Sequence, residues 1–364
     1  MRFRAQLKNT SVFSKLTASL SSLDKECWMR LEQEVVRFTI IPDSGTQVWS
    51  QIPVETIFDE ETYSLEANGD GINLEVNVGI LNRALRSTVG ASSAQLRLTK
   101  KDKTPFLVLT IRTNEWADGN VPLAANNPVQ PPSAVAGERP VDQRTRERET
   151  WITQEIPIKI LHSESVDDLH EPHCPDPDVH IILPGLAQLK NISDRFTKIA
   201  MSEAKGSQMG TLGADAPSTA TTTISSSAMP KLELSANMHG GLRLSISTDE
   251  LKIASAWSGL VNPPLDPAHI STDDYSQLPS ERMRGVGEDD EAGWAKVRID
   301  ARDWGRVLSV GRLSPRVVAC FVNETALVLY VYLPGSWNGE DSCLTYYLYG
   351  LPTSPALKFA AFKC

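Results

Sequence analysis

The chain has 364 residues, 41% of them hydrophobic, and a formal net charge of −9. This length allows one large or two medium hydrophobic cores, and the acidic balance argues against a protein that coats nucleic acid over its whole surface. The five cysteines lie far apart without a C-x-x-C pair, which argues against a disulfide framework or a cysteine-zinc cluster and favours a reducing compartment. Charges in MRFRAQLKN and the lack of any apolar run of about 18 residues predict neither export nor a membrane span.

Short strands dominate the first half of the sequence. Apolar residues alternate with polar ones, or follow one another, in eight segments: FRAQL, CWMRLEQ, EVVRFTII, TQVWSQI, YSLEA, INLEVNV, AQLRLTK and FLVLTIR. Apolar residues at helical spacing predict helices at about residues 11–25 and 79–90. Residues 114–149 are rich in proline and charge, which predicts a flexible insertion.

Strand character returns at TQEIPIKIL, and a polar, proline-broken stretch follows it. The candidate metal ligands in this stretch are His170, His173, Cys174 and His180. Pro172 and Pro175 break the helix that an H-E-x-x-H zinc motif needs, so we interpret the stretch as a connector without a metal site. His180 alternates with apolar neighbours, and we expect it on a strand, facing a polar side. The predicted division is an N-terminal domain at 1–150, a connector at 151–177 and a C-terminal domain at 178–364.

The second half repeats the order of the first. It reads as strand VHIIL, a helix at about 185–203, strands KLELSAN and LRLSIS joined by MHGG, strands ELKIASAW and AKVRI, helix ARDWGRVLSV, and strands RVVACFV, ALVLYVYL and LTYYLYGL. The glycines of MHGG suit a tight hairpin. Two low-complexity segments, at about 204–229 and 262–293, interrupt this copy, and we expect both to be surface insertions.

The four predicted helices divide in the same way, with apolar residues on one side and cations on the other. Residues 11–25, 79–90, 185–199 and 301–312, which contain most of these helices, sum to a charge of +7, whereas the whole chain carries −9, so the rest of the sequence carries −16. Such segregation is typical of a surface that contacts phosphates, although one basic helix face alone is usually just a solvated face. The candidate phosphate-contacting residues are Lys15, Lys25, Arg83, Arg86, Lys190, Arg195, Lys198, Arg302 and Arg306.

Several segments together resemble one protein family. MRFRAQL, IPIKIL followed by L-H-E-P-x-x-P-D-P-D-V-x-I-x-L-P, KLELSANMHGGLRLSI, GLVNPPL and LTYYLYGL are similar to the hydroxyurea-sensitivity subunit family of the nine-one-one checkpoint clamp, a relative of the replication clamp PCNA. The resemblance covers the chain apart from the three insertions and the tail after Leu351. It implies an α+β, PCNA-like DNA-clamp fold of two topologically repeated domains, with antiparallel sheets outside and four helices lining the inner face.

The resemblance also implies a function. Members of this family are non-catalytic subunits of a nuclear, heterotrimeric ring that encircles double-stranded DNA at damage sites, independently of sequence. The implied partners are two related clamp subunits of the Rad-nine and Rad-one types, an ATP-dependent clamp loader, and repair and checkpoint proteins; no cofactor and no membrane are implied. Because a ring is held by its topology, its cations need make only weak, exchangeable phosphate contacts.

Ring closure in this family pairs edge strands of neighbouring subunits. The resemblance places the two edges near residues 106–111 and 251–257. An unpaired apolar edge is an aggregation hazard, so we expect the isolated chain to be poorly behaved or to self-associate. The interface residues implied by the resemblance are Phe106, Val108, Thr110, Leu251, Ile253 and Ser255.

Other functions have less support. No G-x-x-x-x-G-K-[ST] loop and no G-x-S-x-G motif occurs, so we expect no ATP hydrolysis and no enzymatic activity. A homotrimeric replication clamp shares every feature of the helices, and a scaffold that does not bind DNA would use only outer pockets. Two Ser-Gln pairs in the predicted insertions, Ser207-Gln208 and Ser276-Gln277, form a regulatory hypothesis, because checkpoint kinases of the phosphatidylinositol-kinase-like class favour such pairs.

Overall fold

The computed structural model describes all residues except 43–44, 68, 116–147, 167–168, 210–229, 249, 265–277, 289, 315, 334–342 and 351–364. The first repeat contains β1 (Arg2–Gln6), α1 (Thr10–Leu20), β2 (Glu26–Leu31), β3 (Val35–Ile40), β4 (Gln47–Pro53), α2 (Val54–Ile57), β5 (Ser64–Glu66), β6 (Ile72–Asn77), α3 (Val78–Arg86), β7 (Ser93–Lys101), β8 (Thr104–Glu115) and β9 (Arg148–Ile160). The second repeat contains β10 (Val179–Ile182), α4 (Leu186–Met209), β11 (Lys231–Asn237), β12 (Leu242–Ser247), β13 (Lys252–Trp257), α5 (Pro279–Arg284), β14 (Trp294–Asp300), α6 (Ala301–Val307), β15 (Val317–Val322), β16 (Ala326–Tyr332) and β17 (Cys343–Tyr349).

Antiparallel pairing builds two sheets. One has 13 strands in the order β10-β15-β16-β17-β4-β3-β2-β6-β9-β8-β7-β1-β5, and the other has the order β13-β12-β11-β14. The β4–β17 ladder, in which Trp49 lies opposite Thr345, joins the two repeats into one sheet. In the turn between β11 and β12, Gly240 has a φ of 79° and lies so close to the backbone oxygen of Leu260 that a side chain would collide with it.

The helices begin where the sequence offers a side-chain cap. Asn9 accepts a hydrogen bond from the backbone N–H of Val12, and Asn77 accepts one from that of Ile80. α1 ends at Leu20, earlier than predicted, because the Ser21 and Ser22 hydroxyls donate to backbone carbonyls one turn back. The final predicted helix is α6 followed by a 3₁₀ helix at Leu308–Arg312, which we call the α6 extension.

One apolar layer between sheet and helices forms the core. The ring of Phe13, which is fully buried in α1, lies 6.1 Å from the ring of Phe38 on β3 and 6.0 Å from that of Phe58. Burying each large apolar side chain of this kind stabilises the fold by about 1.5–3 kcal/mol. The helices therefore turn one face to the sheet and leave the other free.

The structure corrects several predicted boundaries. β9 continues to Ile160 because its last residues pair with β6, so the connector starts after this residue and not at 151. α4 runs through Ser207 to Met209, beyond the predicted end of its helix, and α5 lies inside the predicted 262–293 insertion. The side chains of Ser207 and Gln208, the Ser276-Gln277 pair, and most of the other two insertions and of the tail lie outside the described residues.

The predicted first-domain edge is wrong. β8 pairs with β7 on one side and with β9 on the other, so Phe106, Val108 and Thr110 lie on an interior strand. Its apolar character reflects this position, since Val108 is only 2% exposed. β13 is one of the two outer strands of the four-stranded sheet and carries Ile253 and Ser255, with Leu251 just before it.

Candidate nucleic-acid interface

The helices of the two repeats form one continuous layer. Within the first repeat, the Asn82 amide of α3 donates to the backbone oxygen of Ser14 at 2.7 Å and to the Thr17 hydroxyl at 3.0 Å, both on α1. Asn82 and Thr17 are buried, so these bonds fix the two helices side by side.

The layer continues across the junction of the repeats. The Ser22 hydroxyl, just after α1, lies 2.6 Å from the Ser309 hydroxyl of the α6 extension, with which it shares a hydrogen bond, and 3.2 Å from the backbone oxygen of Arg306. On the sheet side of α1, Ser19 and Tyr346 of β17 share a hydrogen bond at 3.3 Å. α1 thus packs on elements of both repeats.

In the second repeat, α4 and α6 are tied by two polar contacts. The indole N–H of Trp304 donates to the Ser193 hydroxyl at 3.1 Å, and both side chains are buried. The Lys190 ammonium donates to the backbone oxygen of Gly305 at 3.1 Å and lies 3.4 Å from the Asp194 carboxylate. The helices therefore follow one another in the order α3, α1, α6 with its extension, and α4.

Eight of the nine predicted cations are exposed. They are Lys15, Lys25, Arg83, Arg86, Arg195, Lys198, Arg302 and Arg306. Seven of them lie on α1, α3, α4 and α6, and because the other side of each helix is buried against the sheet, these seven lie on the free side of the helical layer. Lys25 lies between the end of α1 and β2, outside the helix in which it was predicted. Lys190 differs, since it is half-buried and already bonded to Gly305 and Asp194.

Two details modify the cationic surface. Arg306 lies 3.7 Å from Asp303, whose pKa is raised by burial and by the nearby Asp300. The Arg306 side chain itself is exposed, so this pair is weak and leaves Arg306 free to exchange partners. Arg312, at the end of the α6 extension, is also exposed. Sequence reasoning counted Arg312 in the helix charge without naming it as a site residue.

In the first repeat, β9 offers a long free edge, besides the short end strand β5. Residues 148–157 of β9 pair with β8 on one side, whereas β6 pairs only with the end of β9, at Ile158 and Ile160. Trp151 and Ile152, in the stretch that β6 leaves free, are 60% and 39% exposed. The alternation in TWITQEIP predicts a strand. It does not indicate that this strand, β9, has a free edge while the more apolar β8 is paired on both sides.

Hydrogen bonds hold the connector and the first residue after it against the second repeat. Glu171 accepts a hydrogen bond from the Tyr347 hydroxyl at 2.8 Å, and Asp178 accepts one from the backbone N–H of Asn323 at 2.8 Å. Cys174 packs near Cys320. Within the residues that the structure describes, no three His, Cys, Asp or Glu side chains come together as a metal site would require.

His180 is on a strand, as expected, but it does not face a polar side: only 1% of it is exposed. Burial is the main cause that lowers the pKa of its imidazole, and the charge of Arg284 lowers it further. No helix in the described part of the chain combines the length and the apolar character needed to cross a membrane.

Comparisons with known proteins agree with this architecture. A family model described as Hus1-like protein matches residues 1–352. Checkpoint protein hus1 of Schizosaccharomyces pombe is 31% identical over 350 residues, covering 96% of this chain and 98% of the relative. Checkpoint protein HUS1 of Homo sapiens is 24% identical over 355 residues, covering 96% and 99%.

Solved structures show the same fold. Proliferating Cellular Nuclear Antigen from Entamoeba histolytica has a TM-score of 0.52 and 12% identity, covering 96% of this chain and 98% of the other. PCNA from Thermococcus kodakaraensis has a TM-score of 0.54 and 13% identity, covering 96% and 100%. These likenesses confirm the predicted α+β, PCNA-like clamp fold, whereas helices lining an inner face stay a prediction.

Proposed function

The chain belongs to the Hus1-like protein family, and on that premise we propose that it is a non-catalytic subunit of a heterotrimeric checkpoint clamp that encircles duplex DNA in the nucleus. Its proposed partners in the ring are two related clamp subunits. An ATP-dependent loader places the ring on DNA, where it holds repair and checkpoint proteins.

The observation that carries this proposal is the single helical layer across both repeats, with seven exposed cations of its helices on its free side. In a ring, that side faces the DNA. Each cation exchanges between phosphates without reading bases, so the ring slides while its topology prevents dissociation.

Ring closure is proposed to use the outer edges of β9 and β13. An unpaired strand presents backbone N–H and C=O groups that a neighbouring strand satisfies, and exposed Trp151 and Ile152 add apolar area at the β9 edge. Interface roles for Ile253, Ser255 and Leu251 belong to this proposal, whereas the interior position of β8 removes Phe106, Val108 and Thr110 from the free edge.

The decisive experiment measures retention on closed circular and linear DNA after loading. The assembled ring is expected to stay on circles and to slide off linear ends. Reversal of Arg83, Arg86, Arg195 and Arg302 to Glu is expected to reduce retention, whereas reversal of Arg4 and Arg97, exposed on the sheet of the first repeat, is the control. Equal retention on both DNA forms, or equal effects of both reversals, would contradict the proposal.

A homotrimeric replication clamp is not favoured. The full-length matches are to checkpoint proteins, whereas identity to PCNA structures is 12–13%. The mass of the assembled complex tests this directly: a one-to-one-to-one assembly with two other subunits is expected, and a stable trimer of this chain alone would overturn it.

A further inference from the structure

Two arginines lie directly opposite each other on the outer face of the first-repeat sheet. Arg4 of β1 and Arg97 of β7 are cross-strand partners, and both side chains are exposed. Their neighbours along the strands, Phe3, Ala5 and Leu96, are buried in the core, so both guanidinium groups point away from the helices. Like charges in this arrangement destabilise a sheet.

The carboxylates on this face are engaged by other cations. Glu66 lies 3.8 Å from Arg2, and Glu155 lies 3.7 Å from Lys101. Within the part of the chain that the structure describes, neither side chain of the arginine pair makes an ion pair or a hydrogen bond. The repulsion between the two guanidinium groups is therefore not relieved by any described residue.

A second arginine pair in the same sheet shows how such repulsion is relieved. Arg30 of β2 and Arg37 of β3 are also direct cross-strand partners. The Glu32 carboxylate lies 2.7 Å from Arg30 and 3.5 Å from Arg37, so it bridges them. The first pair has the same cross-strand geometry without a bridging carboxylate among the described residues, which indicates that it binds an anion from another source.

An exposed serine adjoins the unbridged pair. Ser64 of β5 pairs directly with Arg4, so Ser64, Arg4 and Arg97 follow one another across three strands on one face. Neighbouring strands lie about 4.8 Å apart, so the serine is about 10 Å from the backbone of Arg97 and within reach of both arginine side chains. The Ser64 hydroxyl makes no hydrogen bond to the residues that the structure describes.

Ser64 is also accessible to a modifying enzyme. β5 has only three residues and is the end strand of the 13-stranded sheet, so few backbone hydrogen bonds hold it in place. The surrounding sequence EETYSLE carries the carboxylates of Glu60, Glu61 and Glu66. A protein kinase with a basic substrate groove complements such a segment.

We propose that Ser64 is a phosphorylation site whose phosphate is bound by Arg4 and Arg97. In the transfer, the Ser64 hydroxyl oxygen bonds to the γ-phosphorus of ATP, the bond from this phosphorus to the β–γ bridging oxygen breaks, ADP leaves, and the hydroxyl proton passes to a base of the kinase.

The phosphate supplies the anion that the arginine pair lacks. A phosphoserine carries about −1.5 to −2 charges and three acceptor oxygens, which suit two guanidinium groups. Phosphorylation thus ties β5 to β1 and β7 and neutralises the basic surface of this outer face. The site lies on the side of the sheet away from the helices, so the proposal goes beyond DNA encirclement and does not depend on it.

The first test asks whether the two arginines bind the phosphate. Phosphoserine is placed at position 64 of the full-length chain by amber suppression, and ³¹P NMR follows its second ionisation, which ordinarily has a pKa of about 6. Because the guanidinium groups favour the dianion, we expect a pKa of about 5 in this chain and an ordinary one in R4Q/R97Q. R298Q, at an exposed position of the four-stranded sheet, is the control and should keep the lowered pKa. An ordinary pKa in all three chains would overturn the proposal.

The second test measures thermal unfolding with and without phosphate at Ser64. We expect phosphorylation to raise Tm by about 2–4 °C in the wild-type background and to leave it unchanged in R4Q/R97Q. The comparison is made within each background, since removing the like-charged pair changes Tm by itself. An equal rise in both backgrounds would show that the arginines do not bind the phosphate.

The third test asks whether the modification occurs. Mass spectrometry of the chain isolated from its native cells with phosphatase inhibitors is expected to find phosphate on Ser64. Thr62 and Tyr63 of the same peptide are internal controls, because their hydroxyl groups already make hydrogen bonds, with the backbone N–H of Gln6 and the backbone oxygen of Glu32. Recovery of this peptide only in unmodified form, from untreated cells and from cells with damaged DNA, would overturn the proposal. Binding of an added phosphoserine peptide to the arginine pair of the unmodified chain would show that a partner supplies the anion, and the proposal would then be wrong.

Discussion

The Lys190 ammonium donates a hydrogen bond to the backbone oxygen of Gly305 at 3.1 Å, bridging α4 and α6. Lys190 therefore contributes more to helix packing than to DNA contact. We expect K190M to lower the free energy of unfolding by about 1 kcal/mol, the value of a charge-assisted bond discounted for partial exposure, and to change DNA affinity little. R195E is expected to lower DNA affinity and to change the free energy of unfolding little. Urea unfolding and DNA titration of both variants check this, and a larger loss of DNA affinity in K190M than in R195E would contradict it.

Arg312 is expected to contact phosphate, although the sequence analysis did not name it as a site residue. Removing one phosphate contact reduces the slope of log K against log salt by about 0.9. We expect R312A in the assembled ring to show this change, measured by DNA titration over a salt series. R298A is the control, because Arg298 pairs with Glu233 at 2.9 Å on the four-stranded sheet. An unchanged slope in R312A would show that Arg312 does not contact phosphate.

Pattern alone could predict most strands and the basic helix faces, because both follow from local periodicity. It could not separate Lys190 from Arg195, since only the packing of α4 on α6 brings Gly305 within reach of Lys190. Nor could the pattern show that β9, and not β8, is the edge strand. The high apolar content of β8 reflects its burial between two neighbouring strands, and it does not mark an edge that a partner covers. The same limit applies to His180: the alternation of polar and apolar residues around it predicts a strand, but it does not show that other parts of the chain bury its side chain.

The corrected edge makes a specific prediction. W151E alters an exposed side chain on β9, so we expect thermal stability to be nearly unchanged and association with partner subunits to weaken at least about tenfold. V108E places a carboxylate at a buried position of interior β8 and is expected to destabilise the fold by several kcal/mol. Thermal unfolding and sedimentation of mixed subunits distinguish the two effects. Strong destabilisation by W151E with normal assembly would show that the β9 edge does not form the interface.

The Trp304–Ser193 bond predicts a non-additive pair. S193A leaves the buried indole N–H of Trp304 without its partner, which is expected to cost about 1–3 kcal/mol of unfolding free energy. In a W304F background, S193A should lower the free energy of unfolding by less, because phenylalanine has no N–H group that would lose its hydrogen-bond acceptor. Chemical denaturation of the two single variants and the double variant measures the coupling, and strict additivity would show that the bond contributes nothing.

His180 predicts an acid-dependent loss of stability. Because burial lowers the pKa of the folded imidazole below the ordinary 6.5, the unfolded chain binds a proton that the folded chain rejects. The stabilisation is complete above about pH 6.5 and is lost as pH falls towards the folded pKa, with a slope of at most about 1.4 kcal/mol per pH unit from this one group. Arg284 and Glu281 act on the imidazole from α5 with opposite signs, and Cys320 lies opposite it on β15.

H180L is expected to remove this component of the pH dependence, since leucine does not titrate. H173L, at an exposed connector position, is the control and should keep the wild-type profile. Urea unfolding of the three proteins between pH 5 and pH 8 gives the slopes. If H180L and wild type lost stability in parallel below pH 6.5, the buried imidazole would not be the responsible group, and the acid sensitivity would have to come from other titrating side chains.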